Sequence, residues 1–177
     1  MRTRTSLLLM SLVATIPSLG ERASAAEAAE GLRADAQAIH QEVDFAADCG
    51  RIYHALTDAR DFDALTRLSD AVTLVTDPKA KPTAISDQVG GPFTLFGGYV
   101  TGRNLQVIPG TRLVQAWRAA SWDAGDYSVV RFELQSQTRG CRIVFDHRGF
   151  PQDQGKSLAY GWRVHYWEPL AKLLAQH

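Results

Sequence analysis

The chain has 177 residues, 45% of them hydrophobic and 21% charged, with 14 Gly and 7 Pro. That is enough apolar material for one ordinary domain, with or without an appendage, and it excludes a disordered, collagen-like or low-complexity protein. Nineteen basic side chains balance nineteen acidic ones, and no run of like charges stands out, so the basic surface that nucleic-acid binding requires is missing.

The first 25 residues read as an export signal. Arg2 and Arg4 precede an uncharged apolar stretch from Ser6 to Gly20, too short for the roughly 18–20 residues of a spanning helix. Ala23-Ser24-Ala25 then supplies the small-x-small pattern for cleavage near Ala25. No Cys follows the stretch and no Arg-Arg pair precedes it, so neither a lipid anchor nor twin-arginine export is expected. Cleavage would remove Arg2, Arg4, Arg22 and Glu21, leaving 16 basic and 18 acidic groups in a periplasmic or secreted protein without a stable membrane anchor. Residues 26–38 read as a solvated or helical lead-in, and 39–177 as the folded domain.

Ile39, Gln41, Val43 and Phe45 alternate with His40, Glu42 and Asp44, the period of a strand. Arg51 to Thr57 and Asp61 to Ser69 predict two short helices anchored by Leu56, Phe62, Leu65 and Leu68, with Asp58 able to cap the second. From Thr83 the pattern turns β. Gly90-Gly91-Pro92 and Gly97-Gly98 mark turns or bulges, and strands are predicted over 99–108, 111–119, 127–135 and 141–150. Lys156 to Gln176 predicts a long helix, because Leu158, Trp162, Tyr166, Leu170 and Leu173 recur at helical spacing, with Pro169 expected to bend its last third. This order defines an α+β domain in which a terminal helix packs on a curved sheet.

Motifs for catalysis are sparse. Gly149 to Gly155-Lys156-Ser157 approaches a phosphate loop, but five residues separate the glycines where four are needed. His147 is the weak candidate for a catalytic group: on the inward face of the last strand, with Gln115, Tyr166 and His165 or Arg163 expected nearby, it could act as a general base or be a satisfied core histidine. Trp167 falls off the main helical stripe and is expected at a cavity mouth or an interaction surface. Cys49 and Cys141 are an even pair in an exported chain, read either as a disulfide or as two separate buried thiols. Neither sits at metal-ligand spacing, and no metal or cofactor is expected.

A set of motifs carries a family resemblance. Ala55-Leu56-Thr57-Asp58, Phe93 through Gly98, Gly102-x-Asn104-Leu105, Pro109-Gly110 and Leu113 through Arg118 come first. Trp122-Asp123-x-Gly125-x-Tyr127-Ser128, His147 through Pro151 and Gly161-Trp162-x-x-x-Tyr166-Trp167 follow in the same order. Together they resemble the activator of heat shock protein 90 ATPase homologue-like domains, within the SRPBCC or START/birch-pollen-allergen superfamily. The resemblance implies a helix-grip fold: a bent seven-stranded antiparallel sheet wrapped around the C-terminal helix, with two short helices after the first strand and a cavity inside. It also makes the first and last strands antiparallel neighbours, which would bring Cys49 and Cys141 within bridging reach.

On that fold, Ile143, Phe145 and His147 share one strand face, Leu113, Gln115 and Trp117 another, and Phe132 lies on a third with Ser128, Val130 and Leu134. Phe93 and Leu95, and Leu158, Trp162 and Tyr166 from the helix, complete a candidate ligand cavity, a composition shared by small-molecule pockets and packed cores. The expected function is non-enzymatic binding of a small hydrophobic or amphipathic molecule. The alternative is a protein-interaction, co-chaperone-like module. The namesake activators serve a cytosolic chaperone, which an exported chain would not meet. A cyclase- or hydrolase-type enzyme built on His147 is a third reading.

Overall fold

The computed structural model describes residues 38–176. The predicted export signal and nearly all of the lead-in lie outside the described residues; Ala38, expected as the last lead-in residue, opens the first strand. Seven antiparallel strands form one sheet: β1 (Ala38–Phe45), β2 (Ala84–Ile85), β3 (Pro92–Leu95), β4 (Val100–Ile108), β5 (Arg112–Ala119), β6 (Ser128–Gln137) and β7 (Gly140–Arg148). Their spatial order is β1-β7-β6-β5-β4-β3-β2. The first strand thus joins the far edge of a continuous meander.

The strand register explains the sequence alternation. Gly102, Trp117 and Ser128 form one inward row. Asn104, Gln115, Val130, His147 and Ile39 form the next, and Val107, Leu113, Phe132, Phe145 and Gln41 a third. The intervening residues face outward and are laced by charge. Arg112 grips Glu133 through two hydrogen bonds of 2.9 and 2.7 Å. Arg131 and His40 both bond Asp146, and Arg142 bonds Asp44 and Glu42. A one-residue slip would exchange these two faces, so the pattern fixes the register.

Gly102 has a steric reason. A Cβ there would lie 2.0 Å from the Ala116 carbonyl oxygen and 2.3 Å from the Phe93 ring. Only glycine lets Phe93 lie across β4 at that point.

Between β1 and β2 run α1 (Cys49–Thr57), α2 (Ala59–Arg67) and the short α3 (Val72–Thr76). The Asp48 carboxylate accepts the Arg51 N–H, and the Asp58 carboxylate accepts those of Arg60 and Asp61. These caps satisfy amides that the helix starts would leave unpaired and begin both helices two residues earlier than apolar spacing alone predicts. Ile52, Ala55, Leu56, Phe62 and Leu65 are buried. A segment as short as α3 carries too little periodicity to predict.

The C-terminal helix consists of α4 (Gly155–Trp162), a π-helical turn (Arg163–Trp167) and α5 (Glu168–Leu174). Pro169, expected to bend the helix, has no N–H to donate, and the widened turn lies immediately before it. The Glu168 N–H reaches back five residues to the Arg163 carbonyl. This extra residue shifts the helix faces within the turn, so Tyr166 and Trp167 are both buried. The expectation that Trp167 lies at a surface or cavity mouth is therefore corrected: its indole N–H donates to Gln41 Oε1 at 2.6 Å. Gln41 in turn donates to the Ala159 carbonyl at 3.2 Å, so β1 holds the helix at two points.

Cys49 at the start of α1 is bonded to Cys141 on β7, with Cα atoms 5.1 Å apart. Cys141 is the register partner of Phe45, the last residue of β1. The short link 46–48 returns Cys49 to that strand end. Among the described residues no helix is long and apolar enough to cross a membrane.

Candidate functional site: an aromatic cavity under the C-terminal helix

The sheet and the helix do not close completely at the β4–β5 end. A cavity of about 400 Å³ lies there, walled by Trp117 from β5, Trp122 from the turn after it, Trp162 and Tyr166 from the helix, Phe96 from the β3–β4 connection and Val100 at the start of β4. Leu74 on α3, Tyr99, Ser121, Gln154 and Ser157 also line it. Tyr99 and Leu74 are partly solvent-exposed, and the Tyr99 hydroxyl lies 3.1 Å from Ser121 Oγ. The cavity is therefore a pocket open to solvent.

Local backbone geometry shapes the walls. Phe96 has a positive φ of 49°, a strained conformation for a side chain of its size. Its ring packs edge-on against Phe62 and Tyr166, at centroid distances of 5.3 and 5.5 Å. Gly97 comes next with φ 68°, and a Cβ there would lie 2.1 Å from the Leu74 carbonyl oxygen. The Phe96-Gly97 pair thus lets α3 approach and sets one side of the opening. Trp117 meets Trp122 at 5.8 Å and Trp162 at 5.6 Å, which makes the opposite side an aromatic wall.

Behind that wall lies His147, fully buried. The Trp162 indole N–H donates to His147 Nδ1 at 3.0 Å. Nδ1 must then be the acceptor, so Nε2 carries the proton and donates to Ser128 Oγ at 2.7 Å. The Ser128 hydroxyl donates in turn to the Trp117 carbonyl at 3.2 Å. Burial lowers the imidazole pKa to about 4, because the charged form would lose its hydration. His147 is thus a neutral, doubly bonded strut between the sheet and the helix, with no nitrogen free for a substrate. Its bonded neighbours are Ser128 and Trp162, correcting the expected surroundings of Gln115, Tyr166, His165 and Arg163. The Gln115 side chain, two strands away in the same row, donates to Asn104 Oδ1 at 3.1 Å. Asn104 then holds the 86–91 loop through the Ser86 carbonyl at 2.6 Å.

Of the twelve residues expected to form the cavity, Trp117, Leu158, Trp162 and Tyr166 line it. Phe93, Leu95, Leu113, Phe132, Ile143 and Phe145 are buried in the continuous core, and Gln115 and His147 belong to the buried hydrogen-bond networks of the sheet. The aromatic packing shows why. Phe145 lies 4.3 Å from Trp162 and 5.2 Å from Trp167, so helix side chains fill the centre of the sheet and leave space only near Trp117. Phe96 and Trp122 complete the walls; both stood in the sequence motifs, but their direction depends on turn geometry that periodicity does not report.

Two nitrogens on residues that line the cavity, Trp117 Nε1 and His165 Nδ1, are closed off from solvent and form no hydrogen bond of ordinary geometry. The Tyr166 hydroxyl is close enough for the Trp117 N–H to favour its ionised form, but no hydrogen bond of ordinary geometry joins them; burial dominates and pushes the phenol up. Burial likewise pushes His165 down, with Asp70 acting in the opposite direction.

One cluster of possible metal donors, His54, Asp58 and Asp61, is found among the described residues. Asp58 caps α2, and His54 Nδ1 lies 2.8 Å from Asp61. The cluster is accounted for as the junction between α1 and α2.

A bent antiparallel sheet gripping one long C-terminal helix, with an aromatic cavity left between them, defines a helix-grip domain of the SRPBCC class. The profile described as "Activator of Hsp90 ATPase homolog 1-like protein" matches residues 46–175, and the chain belongs to that family. Among curated relatives, activator of 90 kDa heat shock protein ATPase homolog 1 of Mus musculus is 25% identical over 87 residues, 49% of this chain and 26% of the relative. The Dictyostelium discoideum homolog is 30% identical over 78 residues, 44% of this chain and 20% of that protein. The chain therefore spans about a quarter or less of these relatives' length. Among solved structures, a protein from Mesorhizobium loti shares the fold with a TM-score of 0.63 at 22% identity, covering 79% of this chain and 98% of its own. An HSP90 activator from Plasmodium falciparum gives a TM-score of 0.62 at 22% identity, covering 79% and 96%.

Proposed function

We propose that this chain is a non-catalytic binding protein that holds a small hydrophobic or amphipathic molecule in the cavity beneath its C-terminal helix. One observation carries the reading: an open cavity of about 400 Å³ walled by three tryptophans. Interiors are normally packed densely, so an open space walled by aromatic rings has the composition of a ligand site. Native mass spectrometry of the purified chain, followed by organic extraction, tests the reading. A retained apolar molecule that is lost in a cavity-filling Gly161→Leu variant supports it. A molecule retained equally by both proteins counts against it.

We also propose that the protein acts outside the cytoplasm. The pattern of residues 1–25 and the Cys49–Cys141 bond support this, because such bonds persist mainly in oxidising compartments. Sequencing the N-terminus of the exported protein tests it, with Ala26 expected first.

A second reading, a protein-interaction module of the co-chaperone type, is favoured by the family and by the names of the curated relatives. Its test is stimulation of a heat shock protein 90 ATPase by the purified chain. An effect that survives filling of the cavity would assign that function to the surface.

A further inference from the structure

Charge is distributed unevenly around the cavity. Among the described residues no lysine or arginine borders it, and Asp70 is the one carboxylate that does. Lys81, whose side chain passes beside Gly98, is not part of the lining. His165 borders the space, and burial pushes its pKa down, away from the charged form. The Asp70 carboxylate is close enough to that ring to act against this, which puts it beside the helix at the cavity. The fixed charge at the site is therefore negative.

The lining is also graded with depth. Asp70, Leu74 and Tyr99 are exposed and form the mouth. Phe96, Trp117, Trp122, Trp162 and Tyr166 are buried and form the interior. An aromatic ring carries partial negative charge on its face, so walls built of rings attract a cation and give an anion nothing in return. An anion entering here would lose hydration, find no cationic partner and pass Asp70 on the way. A cation with an apolar body meets the reverse: its body fills the interior while its head stays at the mouth, still partly in water. A methylated nitrogen fits best, because quaternary ammonium groups are the cations that aromatic enclosures recognise.

Resting on the cavity reading above, we infer that the occupant is an amphipathic cation, with its apolar body among the tryptophans and an alkylated ammonium head at the mouth against Asp70 and the ring of Tyr99. Neutral molecules of the same shape bind, but less tightly. Fatty acids and other anionic amphiphiles are disfavoured as a class.

Three probes sharing one ring system separate the elements of this inference: 2-(2-naphthyl)ethyltrimethylammonium, 2-(2-naphthyl)ethanol and 3-(2-naphthyl)propanoate, titrated into the full chain by calorimetry at neutral pH. The cation is expected to bind about tenfold more tightly than the alcohol, the combined scale of a cation–ring contact and an exposed ion pair, with the propanoate weakest. Asp70→Asn, at an exposed position, should cut that advantage to about threefold, and high salt should narrow it in the same way, because exposed pairs are screened. The cation should lose its binding in Gly161→Leu. Equal or tighter binding by the alcohol or the propanoate overturns the cation inference while leaving the cavity reading in place. An advantage unchanged by both Asp70→Asn and salt overturns the placement of the head at Asp70. Cation binding that persists in Gly161→Leu, while the alcohol's is lost, puts the cation outside the cavity and overturns the inference. Failure of all three probes overturns the cavity reading itself.

Discussion

Trp162 on the C-terminal helix donates its indole N–H to Nδ1 of His147 on the last strand, at 3.0 Å. The bond fixes the histidine tautomer, sets the depth at which the helix lies on the sheet, and places the Trp162 ring as a cavity wall. Ser128 completes the arrangement from the other ring nitrogen. Removing one member leaves a buried polar atom without a partner, and such atoms are costly.

Substituting Trp162 by Phe should therefore destabilise the protein by about 1–3 kcal/mol through the unpaired His147 nitrogen, in addition to lost packing. Replacing both His147 and Trp162 by Phe should cost less than the sum of the single changes, because neither then strands the other. Urea denaturation of the three variants measures this; strict additivity would show that the bond contributes nothing.

The same burial makes stability pH-dependent. With its pKa held at about 4 in the folded state, against about 6.5 when exposed, His147 takes up a proton more readily when the chain unfolds. Stability should thus be full above about pH 6.5 and fall by about 3 kcal/mol as pH drops towards 4. His165, also lowered by burial, acts in the same direction. His40 has the opposite sign: its hydrogen bond to Asp146 raises its pKa, and that contribution is lost only as pH rises past the raised value. Asp146 feels burial pushing it up, but bonds from His40 and Arg131 outweigh this and hold it low, so its contribution fails only in stronger acid. Melting temperatures between pH 7 and 4.5 should fall for the unaltered protein and much less for His147→Gln.

The Cys49–Cys141 bond closes a loop with a sequence separation of 92. Replacing both cysteines with Ala should lower stability by about 2–5 kcal/mol, and reductant should do the same to the unaltered protein. Two titratable thiols in denatured, unreduced, exported protein would contradict the bond.

Gly102→Ala should be severely destabilising despite the small change. The Ala116 carbonyl 2.0 Å from the new Cβ belongs to a paired strand, and the Phe93 ring 2.3 Å from it is buried in the core. A loss of about 2 kcal/mol or more is expected, read as a fall in the denaturation midpoint.

Much of the fold was legible because strands with one buried face must alternate, and the rows containing Leu113, Phe132 and Phe145 come directly from that alternation. The capping role of Asp58 and the stripe through Trp162 and Tyr166 were legible on similar grounds. Trp167 was not, since one inserted residue in the π turn brings it inward, and helical spacing assumes no insertion. Gln41 was read only as a strand position; its two bonds to the helix depend on packing between distant segments. The cavity was legible in composition but not in location. The same inward residues can be covered by helix side chains or left facing a space, and the choice rests on Phe96, Trp122 and the turns that carry them.

The most direct test of ligand binding uses Gly161, which lines the cavity and where an added Cβ would meet only the edge of the His165 ring, at 3.8 Å. Gly161→Leu should fill the space without clash, and the better helix propensity of Leu should preserve stability. Titration of the neutral fluorophore N-phenyl-1-naphthylamine into both proteins then decides. Saturable one-site binding to the unaltered protein, lost in a Gly161→Leu protein of equal or higher melting temperature, is the predicted result. Equal binding by both, or none by the unaltered protein, would contradict a ligand-binding cavity.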